Sequence, residues 1–157
     1  MELFNRWVGF MLMNILSIAY MGWYGIFNII LVSDITFLSW IILGIYFIVS
    51  ISIGRKTYAY CNPKGKQHRK PQNTNIEWFV RDELINVGLI GTIIGLMVVL
   101  GPAFAAIDPS MTATITEALG FISLGVGTAL WTTITALVCS VFIGAQLMNL
   151  ERGQKSI

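Results

Sequence analysis

Long apolar runs alternate with short polar breaks along this chain. The runs are Trp7 to Val32, Ile35 to Ile53, Val87 to Ile107 and Ile115 to Leu147. A membrane-crossing helix needs about twenty predominantly apolar residues, so the pattern predicts four transmembrane helices. The last run has thirty-three residues. At about 1.5 Å each it would reach about 50 Å, against a hydrocarbon core of about 30 Å, so the fourth helix is expected to extend into the cytoplasm, with Gln146, Asn149, Glu151 and Arg152 on the emerging part. Ser33 and Asp34 break the first two runs and predict a tight helical hairpin. The expected organisation is a transmembrane hairpin over 1–53, a basic loop with an amphipathic helix over 54–86, and a helix pair over 87–157.

Within the middle segment the pattern changes twice. Gly54 to Asn73 holds two prolines, two glycines and a basic cluster, the mark of an irregular loop. Its charge points to anionic lipid headgroups near 55–70 and not to nucleic acid, and His68 within it reads as solvated. From Thr74 on, Ile76, Phe79, Val80, Leu84 and Val87 recur at helical spacing opposite Glu77, Arg81 and Asp82, which predicts a short amphipathic helix. Thr74 and Glu77 have capping-box spacing, and Glu77 and Arg81 stand one turn apart, as a helical ion pair does.

Composition agrees with the pattern. Of 157 residues, 55% are hydrophobic and 11% charged, with a mean hydropathy of +0.73; soluble chains carry about a quarter charged residues. The first run exceeds the apolar core of a secretory signal, about 7 to 15 residues, and reads as a retained span. All ten lysines and arginines fall before span one, between spans two and three, or after span four. By the positive-inside rule both termini are then cytoplasmic, with Asp34 and Asp108 outside. Cys61 and Cys139 have neither disulfide nor metal-ligand spacing. The sequence offers no nucleophile constellation, phosphate loop or metal cluster, so neither an enzyme nor a cofactor is expected.

Two features of the helix pair require a reason beyond hydropathy. Asn86 to Gly101 holds four glycines, each costing about 0.5–1 kcal/mol in a helix interior relative to alanine. Gly88, Gly91 and Gly95 fall within about 60° of one another, with Thr92 at the edge of the stripe. In lipid, small residues let helices approach closely, so this face is expected to pack against another helix. Thr92 by itself reads as a hydroxyl bonded back to its own helix. On the fourth helix, Glu117, Thr128, Thr132 and Thr135 share nearly one face. An acid near the hydrocarbon boundary marks an ion pathway by default, and Thr114 with Glu117 also has the spacing of a capping box. Both readings of Glu117 stay open.

"VGLIGTIIGLM" from Val87 to Met97, "ITEAL" from Ile115 to Leu119 and "SLGVGTA" from Ser123 to Ala129 together resemble the paired helices of the MotA/TolQ/ExbB proton-channel family. The resemblance covers residues 84–148. It implies a pentameric ring in a bacterial inner membrane, its last two helices lining a pore around a dimer of a single-span MotB/TolR/ExbD-like partner that carries an aspartate. It matches Thr92 to a pore-facing threonine and Glu117 to a glutamate near the outer end of the pore. Where many members have a second threonine, alignment gives Ile122 with Ser123 beside it, which leaves H⁺ and Na⁺ both open. Ser123 and Thr128 complete the candidate ion pathway. The short cytoplasmic loop leaves no room for a lever that grips a flagellar rotor. A non-conducting scaffold and a solute-transport subunit are the alternatives.

Overall fold

The computed structural model describes residues 2–23, 37–62, 72–108 and 110–155; the side chains of residues 2, 3, 17, 18, 21, 22, 124 and 128 lie outside that description. The Ser33–Asp34 turn, His68 and the basic cluster from Lys64 to Lys70 therefore fall outside the described residues. The described residues form four helices: α1 (Glu2–Trp23), α2 (Leu38–Cys61), α3 (Asn75–Ala105) and α4 (Thr112–Lys155). Three of these, α2, α3 and α4, are long and apolar enough to cross a membrane, the arrangement of a multi-pass membrane protein. The expected first span is described only as far as Trp23. Arg6 and Asn14 dilute that part, and the rest of its apolar run lies outside the described residues.

Spacing explains the packing. On α2, Ser39, Ile42, Tyr46, Val49, Ile53, Thr57 and Tyr60 are buried at three- and four-residue steps. On α4, Ala129, Thr132, Ala136, Cys139, Ile143, Gln146 and Leu150 follow the same rule. Such stripes bring two helices together at a shallow angle with side chains interdigitated. Ile42, Ile53, Leu84, Ala136, Ile143, Leu147 and Leu150 form the heart of the shared core. Across it the Ser50 hydroxyl donates to Gln146 Oε1 at 2.8 Å, a bond buried deep enough to escape competition from water.

Several boundaries differ from the expectation. α2 continues to Cys61, so the first eight residues of the expected loop, 54–61, are helical. The amphipathic stretch is the first part of α3 and runs without a break into the span. Leu84 faces the core as expected, with Val80 and Val87 packed against it, but the first turn faces the other way. Ile76 is 71% exposed and Phe79 63%, whereas Glu77 is only 4% exposed. Glu77 turns inward because its partner lies on α2: Lys56 Nζ stands 2.6 Å from Glu77 Oε1, and the Ser52 hydroxyl donates to the same oxygen at 2.9 Å. The expected pair with Arg81 is absent; Arg81 meets Asp82 at 3.1 Å and lies over the Trp78 ring. Thr74 is the N-cap residue of α3 but makes no side-chain cap bond. Its hydroxyl donates instead to Glu151 Oε1 at 2.9 Å, which also accepts from Trp78 Nε1 at 2.6 Å.

These contacts gather four helix ends at one end of the bundle. The start of α1 meets the end of α2 through Phe4 and Tyr58, and Tyr60 donates to the Gly153 carbonyl near the end of α4 at 3.2 Å. Arg6, Arg55, Lys56, Arg81, Arg152 and Lys155 all belong to this end, together with the acids Glu77, Asp82 and Glu151, and a gathering of the basic residues at one end is what the sequence led one to expect. At the opposite end, α3 and α4 are joined by a short loop. Asp108 there accepts from the Ser110 hydroxyl at 2.7 Å and from the Ser110 backbone N–H at 2.9 Å, which together hold its carboxyl below the usual range.

Candidate ion pathway at the seam of the third and fourth helices

The glycine stripe of α3 lies directly against α4 of the same chain. A Cβ added at Gly88 would stand 2.5 Å from Ala136 Cβ; at Gly91, 3.0 Å from Thr132 Oγ1; at Gly95, 3.1 Å from Ala129 Cβ. All three glycines are buried. Their size therefore sets the separation of the two helices, as close packing in lipid requires. The partner stripe on α4 is itself made of small residues, Gly125, Ala129, Thr132, Ala136, Ser140 and Gly144, all buried. That repeat of three and four was present in the sequence and is the signal for this seam.

Thr92 sits at the edge of the seam, half-buried. Its hydroxyl lies 3.1 Å from the Gly88 carbonyl of its own helix and 3.2 Å from the Ala129 carbonyl of α4, and it contacts the Thr133 hydroxyl. Thr133 in turn donates to Gly88 O at 3.2 Å. Two hydroxyl and two carbonyl oxygens thus converge between two apolar helices. A hydroxyl supplies one proton and two lone pairs, so this cluster has more acceptor capacity than donors. Thr133 did not emerge from the sequence reading because it lies off the stripe of Glu117 and Thr128, and only the tertiary pairing with Thr92 singles it out.

Of the remaining candidates with described side chains, only Thr132 touches this cluster, its hydroxyl donating to the Ala129 carbonyl at 2.8 Å. Glu117 is exposed and has no hydrogen-bond or ion-pair partner among the described residues. The capping box is overturned: α4 begins at Thr112, ahead of Thr114. The Thr114 hydroxyl serves the loop, donating to Met111 O at 2.8 Å and accepting from the Asp108 N–H at 3.1 Å. Ser123 is exposed and Ile122 half-buried. The Thr128 side chain lies outside the described residues. Thr132 is buried against Gly91, and Thr135 donates back to Trp131 O at 2.8 Å. The expected common face of Glu117, Thr132 and Thr135 is thus divided, because Thr132 is drawn into the seam while Glu117 points away from the chain. Among the described residues no group of acids, histidines and cysteines could hold a metal.

Comparison with protein-family models, with curated proteins and with solved structures finds no match for this chain.

Proposed function

We propose that this chain is a pore-lining subunit of an ion-driven complex of a bacterial-type inner membrane. It assembles as a ring, with five copies expected, around a dimer of a single-span partner whose aspartate binds the ion; both termini lie in the cytoplasm. The observation that carries this reading is the convergence of the Thr92 and Thr133 hydroxyls with the Gly88 and Ala129 carbonyls midway along an apolar helix pair. Oxygens grouped at such depth can replace part of an ion's hydration shell or hold a pore water. Thr92 is also the residue that the resemblance to the MotA/TolQ/ExbB family assigns to the pore. Glu117, exposed and unpaired, supplies a carboxylate beyond the seam that can gather cations.

A non-conducting scaffold is the second reading. It is favoured by the fact that these bonds of Thr92 close within one chain, so the hydroxyls could serve only to fasten α3 to α4. The two readings separate in one experiment. The tagged chain is isolated from its native membranes in mild detergent, its mass is measured, co-purifying proteins are identified, and the complex is reconstituted for proton- and sodium-flux assays. Thr92→Val with Thr133→Val keeps shape and removes both hydroxyls. The channel reading expects a multimer, a single-span partner with an intramembrane aspartate, and flux lost in an assembled variant. A monomer, or unchanged flux in the variant, would refute it.

A further inference from the structure

We propose that the cleft between α1 and α4 binds one anionic glycerophospholipid, its phosphate held between Arg6 and Arg152. The cleft encloses about 580 Å³ and is lined by these two arginines and, below them, by Phe10, Met13, Ala145 and Met148. It is thus basic at one end and apolar along its length. That is the complement of a phospholipid, with the phosphate at the arginines and the start of an acyl chain along the apolar wall.

Three observations select this ligand. The first is the type of cation. Guanidinium groups bind phosphate in a bidentate, planar fashion, and two of them come from helices far apart in sequence to one site. The second is that both are available. Among the described residues neither forms an ion pair, and the acid next to Arg152, Glu151, is engaged by Thr74 and Trp78. The third is space. Gly9, also in the lining, has nothing within 4 Å of an added Cβ, so the cleft is open where a chain would pass. The site also lies at the basic end of the bundle, where the start of α1 and the end of α4 both meet the end of α2. Anionic headgroups are concentrated at the cytoplasmic leaflet, where basic residues gather. The site differs from a diffuse attraction of the basic loop in requiring two particular arginines and an apolar wall, and it is independent of whether the seam conducts.

The full-length protein is placed in nanodiscs of mixed phosphatidylcholine and phosphatidylglycerol, and lipids retained on release are counted by native mass spectrometry. Wild type should retain phosphatidylglycerol in preference to phosphatidylcholine. Arg6→Gln and Arg152→Gln should each lower retention roughly fivefold, from the usual contribution of one basic residue near an anionic lipid. Gly9→Leu fills the cleft while keeping both charges, and should also lower retention; leucine is a better helix former than glycine, so this variant tests the site even if the arginine variants fold poorly. Lys155→Gln, which removes the same charge outside the cleft, should retain the lipid. Excess inorganic phosphate should not displace it. Equal retention of both lipids would overturn the proposal, as would a loss in Lys155→Gln equal to that in Arg6→Gln. Displacement by free phosphate, or a cleft covered by a second copy and empty of lipid, would do the same.

Discussion

Gly88→Ala adds a single methyl group to a helix, a change that in isolation stabilises by about 0.5–1 kcal/mol. Here the new carbon would lie 2.5 Å from Ala136 Cβ and 3.4 Å from Thr133 Cα, whereas carbons pack best at about 3.5–4.0 Å. The helices must part by about 1 Å, and Gly91 and Gly95 further along then lose close contact as well. Overpacking of this kind costs about 1–3 kcal/mol; against a propensity gain of about 0.5–1 kcal/mol the net loss is about 0–2.5 kcal/mol, and the 2.5 Å contact puts it in the upper part of that range. Ala136→Gly removes the opposing carbon. Alone it should cost about 1 kcal/mol in propensity, but in the Gly88→Ala, Ala136→Gly double variant the methyl has only changed helices. The two propensity changes then cancel, the clash is absent, and stability should return to within about 0.5 kcal/mol of wild type, a coupling well beyond additivity. Reversible unfolding in mixed micelles titrated with denaturing detergent, followed by tryptophan fluorescence, measures all four corners. Gly120→Ala and Gly127→Ala serve as controls, because an added Cβ at either meets nothing within 4 Å, and both should be neutral or stabilising. Additive losses in the double variant, or a Gly88→Ala protein as stable as Gly127→Ala, would refute the intrachain seam.

Lys56→Met should cost about 2–3 kcal/mol in the same assay, below the 3–5 kcal/mol of a fully buried pair because Lys56 keeps 26% exposure; adding Glu77→Gln should restore part of the loss, and no recovery would mean that the carboxylate is not what suffers. Glu151→Leu strands the Trp78 indole N–H and the Thr74 hydroxyl, and should cost about 1–3 kcal/mol, whereas Glu151→Gln keeps an acceptor oxygen and should cost less. Thr114→Val should loosen the loop at Asp108 without shortening α4, seen as faster amide exchange confined to residues near 108–114. Glu117→Gln should leave subunit stability unchanged within about 0.5 kcal/mol, as expected for an exposed side chain, while lowering ion flux in the assembled complex; unchanged flux would remove Glu117 from the pathway.

Hydropathy and spacing made the helices readable because burial in lipid acts along whole segments. The three spans and the basic end follow from runs of residues that no local exception can reverse. The glycine stripe was readable as a packing face for the same reason, but its partner required pairing two stripes, Gly88–Gly91–Gly95 with Ala129–Thr132–Ala136, and the eye is drawn instead to Glu117 and the threonines in register with it. Glu77 shows what a one-helix view cannot supply. Its helix has an apolar face that turns inward at Leu84, yet in the first turn Ile76 and Phe79 are outside and the acid is inside, because Lys56 and Ser52 approach from another helix. The capping bonds failed similarly, although Thr74 is indeed the N-cap residue of α3. Thr74 and Thr114 each stand three residues ahead of a glutamate, but Glu151 captures the first hydroxyl and the α3–α4 loop captures the second.

The distribution of these contacts separates holding from displaying. Within lipid, apolar contact between helices gains little over contact with acyl chains, so packing of small residues and polar bonds must supply most of the association. Both lie in particular places: the small-residue seam runs from Gly88 to Gly95 on α3, and the bonded acids Glu77 and Glu151 tie α2, α3 and α4 together at the basic end. Beyond Gly95 the pair stays in contact through Val99 against Gly125, with Ala103 and Ala118 buried, but the outer faces are apolar and uncovered. Met97, Val98 and Phe104 on α3 and Leu119 and Phe121 on α4 are exposed, as is Glu117, which has no partner among the described residues. A carboxylate so placed gains nothing for the fold of one subunit. If the chain serves as proposed, the carboxylate acts on ions in the assembled ring, so exchanging Glu117 for glutamine should be silent in an unfolding measurement and audible in a measurement of flux.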